Sequence, residues 1–175
     1  MIVLAVAIAL CGYAYAGYPG LLVLLGARAR RRGPITVVRR LPRVSVVLPV
    51  YNEAAVVAET LEAILALDYP SSQLQVLVIS DASTDGTDAI VGTFASRGVQ
   101  LVRQDERRGK TAAENAAWHY LDGEIILCTD ASVRLEKGAL RALVAEFEDP
   151  TVGVASGRDV SVSRMESGAN PGESA

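Results

Sequence analysis

Short apolar runs alternate with longer amphipathic segments from Val44 to about residue 158. Short apolar runs favour buried strands, whereas apolar side chains three and four residues apart favour helices packed on a sheet. Strands that alternate with helices build a mostly parallel sheet flanked by helices, so the pattern predicts an α/β fold. Asn52 is predicted to cap the first helix, Thr84 or Asp85 the second, and Gly98 to end the second. The predicted strands are residues 44–50, 74–80, 99–103, 124–130 and 152–158, and the predicted helices are residues 53–67, 85–97, 110–121 and 136–147.

The first 27 residues carry no charged side chain. A helix of about 20 apolar residues crosses a bilayer, so residues 1–27 are predicted to form one transmembrane helix. A cleaved signal peptide is the alternative, but it needs a basic start and a shorter apolar stretch, whereas here the basic residues follow the apolar ones. With half of the 175 residues hydrophobic, the remainder is long enough to bury a core of its own.

Residues 28–43 form a strongly basic segment that is predicted to be a juxtamembrane linker. By the positive-inside rule this end of the span, and the α/β part that follows it, is cytoplasmic. Arginines directly behind an apolar span favour contact with anionic lipid over nucleic acid. Pro34 and Pro42 predict an extended linker. The segment has seven arginines and no acidic residue: Arg28, Arg30, Arg31, Arg32, Arg39, Arg40 and Arg43.

The rest of the chain has the opposite charge. All 20 acidic residues but only 10 of the 17 basic ones follow Arg43, so this part carries a formal charge of −10, from 20 acidic against 10 basic residues. That balance argues against a nucleic-acid partner. Cys11 lies in the apolar span and Cys128 in an apolar run, so no disulfide framework is predicted and a reducing cytosol fits.

The acidic segment SDASTDGTD, residues 80–88, invites comparison with a calcium-binding EF-hand loop. Its first acid, Asp81, is followed at the required spacings by oxygen-bearing side chains and by Gly86. Position 12 of such a loop is a bidentate Glu, but here it is Gly92, and a strand rather than a helix precedes the loop. Calcium is therefore disfavoured. Asp85 is predicted to cap the next helix, and Asp88 to place a negative charge in its first turn.

Polar, loop-forming residues follow each of the first four predicted strands, at residues 49–53, 81–85, 107–110 and 130–132. Ligands of open α/β sheets bind beyond the carboxyl ends of the strands. Acidic side chains can bind hydroxyl groups and base edges, and backbone N–H groups at helix starts and cationic side chains can bind phosphate. Together these groups suit a nucleotide. The glycine fingerprint of dinucleotide enzymes is absent. The GKT at 109–111 is not a phosphate loop, because residue 104 is Gln instead of Gly.

Four motifs in this order, PVYNE (49–53), ISDASTDGT (79–87), RRGKTAAEN (107–115) and TDAS (129–132), resemble the donor half of a family 2 glycosyltransferase of the GT-A fold. The resemblance covers roughly residues 42–175, and residues 1–32 are similar to the membrane lead of polysaccharide-synthesising members. It implies a Rossmann-like GT-A sheet that binds a nucleotide-diphospho-sugar such as a UDP-sugar. The residues that it implies for this site are Pro49, Tyr51, Asn52, Glu53, Asp81, Gly109, Lys110 and Asp130.

The resemblance also implies a task for each part of the site. Glu53 approaches the nucleoside, Asp81 contacts the base, and Gly109 with Lys110 closes over the diphosphate. Asp130 matches the first acid of the family's DXD-like metal motif, which implies Mg²⁺ or Mn²⁺. The third position is Ser132, a weaker ligand than a carboxylate, so direct ligation by Ser132 is not expected. An acid that ends an apolar strand needs a partner, which independently favours a functional Asp130.

The implied reaction is inverting transfer of a sugar to a glycan or lipid acceptor. Its general base belongs to the family's second half and is expected beyond residue 175. Residues 44–160 are thus expected to form a nucleotide-sugar-binding half-domain, and residues 161–175 a loop. The chain is expected to be a fragment that is inactive alone, and a donor-binding module without transfer activity is the alternative. Trp118 and His119 are interpreted as core and surface residues.

Overall fold

The computed structural model describes residues 2–29 and 40–158. Most of the predicted basic linker and the predicted loop at 161–175 lie outside the described residues. The chain divides into two compact units, Met1–Thr36 and Val37–Ala175.

The described part of the first unit is one apolar helix. It consists of α1 (Ile2–Gly12), a π-helical turn (Tyr13–Gly17) and α2 (Tyr18–Ala29). Within it, the 25 residues Ile2–Gly26 are long and apolar enough to cross a membrane. At 1.5 Å per residue such a helix is about 37 Å long, which exceeds a hydrocarbon core of about 30 Å. The structure thus contains one candidate for the predicted span.

The second unit is built on a parallel sheet of four strands in the order β3-β2-β1-β4. The strands are β1 (Val44–Val50), β2 (Leu74–Ser80), β3 (Val99–Arg103) and β4 (Ile125–Cys128). β1 pairs with β2 along its whole length and with β4 from Val44 to Val47. All four carboxyl ends therefore meet at one edge of the sheet.

Helices cover both faces of this sheet. One face packs against α3 (Val57–Leu65), α4 (Thr87–Gly92) and α6 (Ala139–Glu146), and the other against α5 (Lys110–Ala117). β1 is buried on both faces except at Pro49, as expected for a strand between two helix layers. Ala113 and Ala117 are fully buried against Val47, Leu77 and Ile79. These small side chains let α5 lie close to the sheet.

Pro49 is tolerated in the central strand because of where β4 ends. Val47 accepts a hydrogen bond from Thr129 N on the β4 side, and β4 pairs no further than Cys128. The nitrogen of Pro49, two residues along, points to the same side beyond the end of β4. Its missing N–H therefore removes no ladder hydrogen bond.

The predicted fifth strand and the predicted cap of α3 are both wrong. Residues 152–158 do not form a fifth strand: they are irregular, and Val154 is 88% exposed. Two glycines in a short run and so little burial cannot offset the entropy of ordering a strand. Asn52 does not cap α3, which begins at Val57. Asn52 is in the left-handed region with φ 55°, and its side-chain oxygen accepts a hydrogen bond from Thr84 N instead.

The helices in the structure are shorter than those that the apolar patterns predict. α4 ends at Gly92, and the chain then tightens into a 3-10 turn, Ala95–Arg97, before Gly98 turns it with φ 89°. A second 3-10 turn, Trp118–Tyr120, follows α5. Apolar side chains in such turns continue the helical pattern although the α-helix has ended.

The opposite, amino edge of the sheet holds a buried polar network. Ser45 Oγ donates to Gln75 Oε1 at 2.5 Å and accepts from Gly123 N at 2.9 Å. Gln75 Nε2 in turn donates to the carbonyl of Tyr120 at 2.8 Å. On the surface at this edge, Arg43 makes two hydrogen bonds to Asp122. Trp118, the one tryptophan of the chain, is 69% exposed.

Candidate functional site

The loops after β1 and β2 are joined at the carboxyl edge by hydrogen bonds between backbone N–H groups and side chains. Asn52 N donates to Ser83 Oγ at 3.1 Å, and Glu53 N to Thr87 Oγ1 at 2.9 Å. Ala54 N donates to Asp85 Oδ2 at 3.0 Å. Asn52 and Glu53 are thus held at fixed positions by the acidic segment that follows β2.

Asp85 organises the turn before α4. Its Oδ1 accepts from Thr87 Oγ1 at 2.5 Å and from Thr87 N at 3.0 Å. The Thr87 hydroxyl, and next the Ala54 N–H, hold the pKa of Asp85 below its ordinary value. The N-cap of α4 is Gly86 and its first residue is Thr87, so the predicted cap, Thr84 or Asp85, is wrong in position, although Asp85 still accepts the first N–H of the helix.

Asp88 in the first turn of α4 forms an ion pair with Arg103 at the end of β3. Asp81, Asp85 and Asp88 therefore have separate partners, although they lie within eight residues of one another. The three side chains are therefore not arranged to bind one ion together.

Asp81 is buried, with 4% of its surface exposed, and both carboxylate oxygens bind backbone. Oδ1 accepts from Arg108 N and Oδ2 from Gly109 N, each at 2.7 Å. An ionised carboxylate that accepts two N–H groups is a strong anchor. Asp81 thereby fixes the loop of residues 104–109, which connects β3 to α5. It lies at the edge where the sequence predicts it, but its described contacts are to this loop.

Lys110 and Asp130 meet across the edge. Lys110 is the first residue of α5, and its Nζ lies 2.5 Å from Asp130 Oδ1. Asp130 raises the pKa of the Lys110 ammonium, first through this hydrogen bond. Gly109 allows the approach because it turns the chain with φ 86°, where other residues are strained.

Tyr51 carries a cation on its ring. The guanidinium carbon of Arg107 is 3.8 Å from the ring centroid, a short cation–π contact. Tyr51 follows β1, whereas Arg107 belongs to the 104–109 loop. The sequence places Arg107 in the polar loop at 107–110 but does not predict its contact with Tyr51, because the two residues lie 56 positions apart and only the loop conformation brings them together.

The loop after β4 is tied to α3. Thr60 Oγ1 donates to the carbonyl of Ala131 at 2.5 Å, and Val133 N donates to the carbonyl of Asp130 at 3.0 Å. These bonds hold Asp130 at the edge, with Ser132 exposed beside it. Thr60 has no signature in the sequence, since a threonine inside an amphipathic helix is typical of many surface positions.

At this edge, the carboxylate of Asp130 can bind a divalent cation. Within residues 2–29 and 40–158, no three acidic, histidine or cysteine side chains are grouped for a metal. Magnesium is commonly held by one or two carboxylates together with substrate phosphates and water. One carboxylate therefore fits a cation that enters with a diphosphate.

The comparisons with known proteins identify the family. Residues 45–171 match the family model described as Glycosyl transferase family 2. The chain belongs to glycosyl transferase family 2. "Probable glycosyltransferase YdaM" of Bacillus subtilis is 34% identical to this family 2 chain over 111 residues, which are 61% of the chain and 26% of that relative. The chain spans between 26% and 35% of the length of three curated relatives that it matches.

Two solved structures share the GT-A-like fold of this family 2 chain. Mannosyltransferase PcManGT from Pyrobaculum calidifontis, solved with GDP-Man and Mn²⁺, is 38% identical with a TM-score of 0.67. The match covers 85% of this chain and 45% of that one. S. aureus TarS 1-349, solved with UDP-GlcNAc, is 26% identical with a TM-score of 0.56, over 61% of this chain and 31% of that one.

Proposed function

We propose that this chain binds a nucleotide-diphospho-sugar at the carboxyl edge of its sheet, and that the whole protein transfers the sugar, with inversion, to a glycan or lipid acceptor. The observation that carries the proposal is the contact of Lys110 with Asp130. It brings a cation suited to a diphosphate next to an acid suited to a metal. The relatives solved with GDP-Man and UDP-GlcNAc support this class of donor.

In this proposal, each loop contacts a different part of the donor. Pro49, Tyr51, Asn52 and Glu53 face the nucleoside, and the Tyr51 ring offers a surface on which a base can stack. Asp81 keeps the 104–109 loop over the nucleotide through its bonds to Arg108 N and Gly109 N. Gly109 and Lys110 close on the diphosphate.

Mg²⁺ or Mn²⁺ completes the site at Asp130. A divalent cation there would stabilise the charge that develops on the leaving diphosphate. The Mn²⁺ in the PcManGT structure supports such a cofactor. Ser132 contributes at most a weak oxygen ligand.

The proposed protein is membrane-anchored and of the polysaccharide-synthesising type. Residues 1–27 form the span, residues 28–43 a linker whose arginines up to Arg39 contact anionic lipid, and residues 44–160 the donor-binding half-domain on the cytoplasmic side. The uncharged helix Ile2–Gly26 supports the anchor. YdaM is described as a probable glycosyltransferase and PcManGT as a mannosyltransferase, which favours transfer over a module that only binds donor.

Calorimetric titration of the full chain in detergent tests donor binding. UDP-GlcNAc and GDP-Man are each added with Mn²⁺ present. We expect one of them to bind, and Asp130→Asn to weaken binding at least about tenfold, since a charge-assisted contact contributes about 1.5–3 kcal/mol. Glu146→Gln, which removes an exposed carboxylate at the end of α6, is the matched control. Equal affinity of both variants, or no binding of either donor by the unaltered chain, would contradict the proposal.

Acceptor-dependent release of the nucleoside diphosphate by the whole protein tests the transfer step. We expect release to require both donor and acceptor, because attack on the anomeric carbon needs an acceptor hydroxyl and a base within hydrogen-bond reach. Donor binding by the whole protein with no release for any glycan or lipid acceptor would reduce its function to donor binding.

A further inference from the structure

The Asp130 carboxylate is already neutralised by a side chain of the protein. Lys110 Nζ lies 2.5 Å from Asp130 Oδ1, and Glu114 Oε1 is the next acid, at 3.9 Å from the same ammonium. Both members of the close pair are partly exposed, with 57% and 46% of their side-chain surfaces accessible. The ammonium can therefore leave without unfolding the loop that carries Asp130.

A divalent cation and the Lys110 ammonium compete for the same position at the Asp130 carboxylate. Both bind carboxylate oxygens at short range, and two positive charges around one carboxylate repel each other. The backbone on either side of Lys110 is fixed, by the Asp81 contact to Gly109 N and by the first turn of α5. Only the side chain of Lys110 is free to move away.

A diphosphate changes this balance. It supplies oxygen ligands to the cation at Asp130 and a second anionic partner to the ammonium. Lys110 can then exchange a carboxylate for a phosphate, and Asp130 an ammonium for the metal, so that no charge is left unpaired. The exchange breaks and forms only ion pairs and hydrogen bonds.

We propose that Lys110 couples the two ligands of the site: it excludes the divalent cation from Asp130 until a diphosphate arrives, and it then contacts the diphosphate itself. This inference rests on the proposed function, because it takes the donor diphosphate as the second ligand. By linkage, the metal must strengthen nucleotide binding by the same factor by which the nucleotide strengthens metal binding.

Titration of Mn²⁺ alone, followed by electron paramagnetic resonance, tests the exclusion. We expect Lys110→Met to bind Mn²⁺ about tenfold more tightly than the unaltered chain, within the range of about 5–150-fold common for coupled sites. Lys137→Met is the matched control, because Lys137 is the other of the two lysines in the chain and is exposed before α6. It should leave the affinity unchanged. Lys110→Arg, which keeps the positive charge, should bind Mn²⁺ as weakly as the unaltered chain. Combining Asp130→Asn with Lys110→Met should abolish the gain in Mn²⁺ affinity.

The same titration with UDP or GDP present tests the coupling. The nucleotide should raise the Mn²⁺ affinity of the unaltered chain, and Lys110→Met should lose most of that increase. Equal Mn²⁺ affinities of Lys110→Met and the unaltered chain, without nucleotide, would overturn the inference even if nucleotide binds. Failure of the unaltered chain to bind any nucleotide would instead overturn the proposed function. A gain for Lys110→Met with Mn²⁺ alone would still support the competition at Asp130.

Discussion

Asp81 determines the conformation of the loop above the candidate site. Its two oxygens hold the N–H groups of Arg108 and Gly109, and the carboxylate is nearly inaccessible to water. Removing its charge leaves two part-buried N–H donors facing an amide in place of a carboxylate. Bonds to a charged group contribute about 1.5–3 kcal/mol each, so the loop should open more often.

Limited proteolysis measures this opening. Trypsin cuts after Arg107 and Arg108, both in the 104–109 loop. We expect Asp81→Asn to be cut there at least about tenfold faster, the factor that corresponds to about 1.4 kcal/mol. Asp105→Asn, an exposed acid of the same loop, should be cut at the original rate. Equal rates for both variants would show that Asp81 does not hold the loop.

Gly123 lies so close to β1 that no side chain fits. A Cβ at this position would be 2.4 Å from Ser45 N and 2.7 Å from Ser45 Oγ. We expect Gly123→Ala to lower the free energy of unfolding by about 3 kcal/mol, through overpacking and loss of a buried hydrogen bond. Gly92→Ala, with nothing within 4 Å at the end of α4, should be neutral or stabilising. Circular dichroism during thermal unfolding distinguishes the two, and similar unfolding temperatures would contradict the prediction.

Asp85 makes stability depend on pH. Its pKa in the folded protein is lowered, mainly by the Thr87 hydroxyl, so the folded state favours the ionised form. The contribution is therefore present above the ordinary Asp pKa of about 3.9 and is lost as the pH falls through the lower, folded value. The unfolding temperature of Asp85→Asn should lie below that of the unaltered chain at pH 6, and the difference should shrink below about pH 4. A difference that stays constant from pH 6 to pH 3 would exclude this role.

At the scale of elements, α5 carries Lys110 to Asp130 because it lies close to the sheet. Ala113 and Ala117 are both fully buried against β1 and β2. We expect Ala117→Leu to destabilise the fold by about 2 kcal/mol and to weaken donor binding as well, because the larger side chain pushes α5 outward. Asn115→Leu, on the exposed side of the same helix, should change neither quantity appreciably. Destabilisation without any loss of donor affinity would show that the site does not depend on the spacing of α5.

The elements that the sequence predicts best are those buried on both faces. β1 and β2 have the predicted bounds because both are buried on both faces and are mostly apolar, and β3 also has its predicted bounds although it is an edge strand in which only Val99 is buried. β4 is shorter than predicted, and its alternating exposure shows an edge strand with one open face. The contacts of the site itself could not be predicted. Asp81 with Gly109 and Tyr51 with Arg107 depend on loop conformations that the order of residue types does not encode.

At the scale of the whole molecule, the uncharged helix Ile2–Gly26 should determine where the protein is found. We expect the full chain to stay with membranes after washes with high salt and alkaline carbonate. A charged residue at the centre of a span costs about 2.5–3.5 kcal/mol, so Cys11→Arg combined with Ala14→Arg should shift protein to the soluble fraction. Tyr51→Ala, far outside the helix in sequence, is the control. Release of the unaltered chain by salt alone would contradict a spanning helix.

The exposed position of Trp118 limits how folding can be observed optically. The chain has one tryptophan, and 69% of its surface already meets water in the folded state. Its emission should therefore lie near the wavelength of a solvated indole before and after unfolding, so a red shift would be small. The same exposure makes Trp118 open to collisional quenchers such as iodide at the amino edge of the sheet. A buried tryptophan introduced at Phe94, which is 8% exposed, would give an emission signal that follows the core.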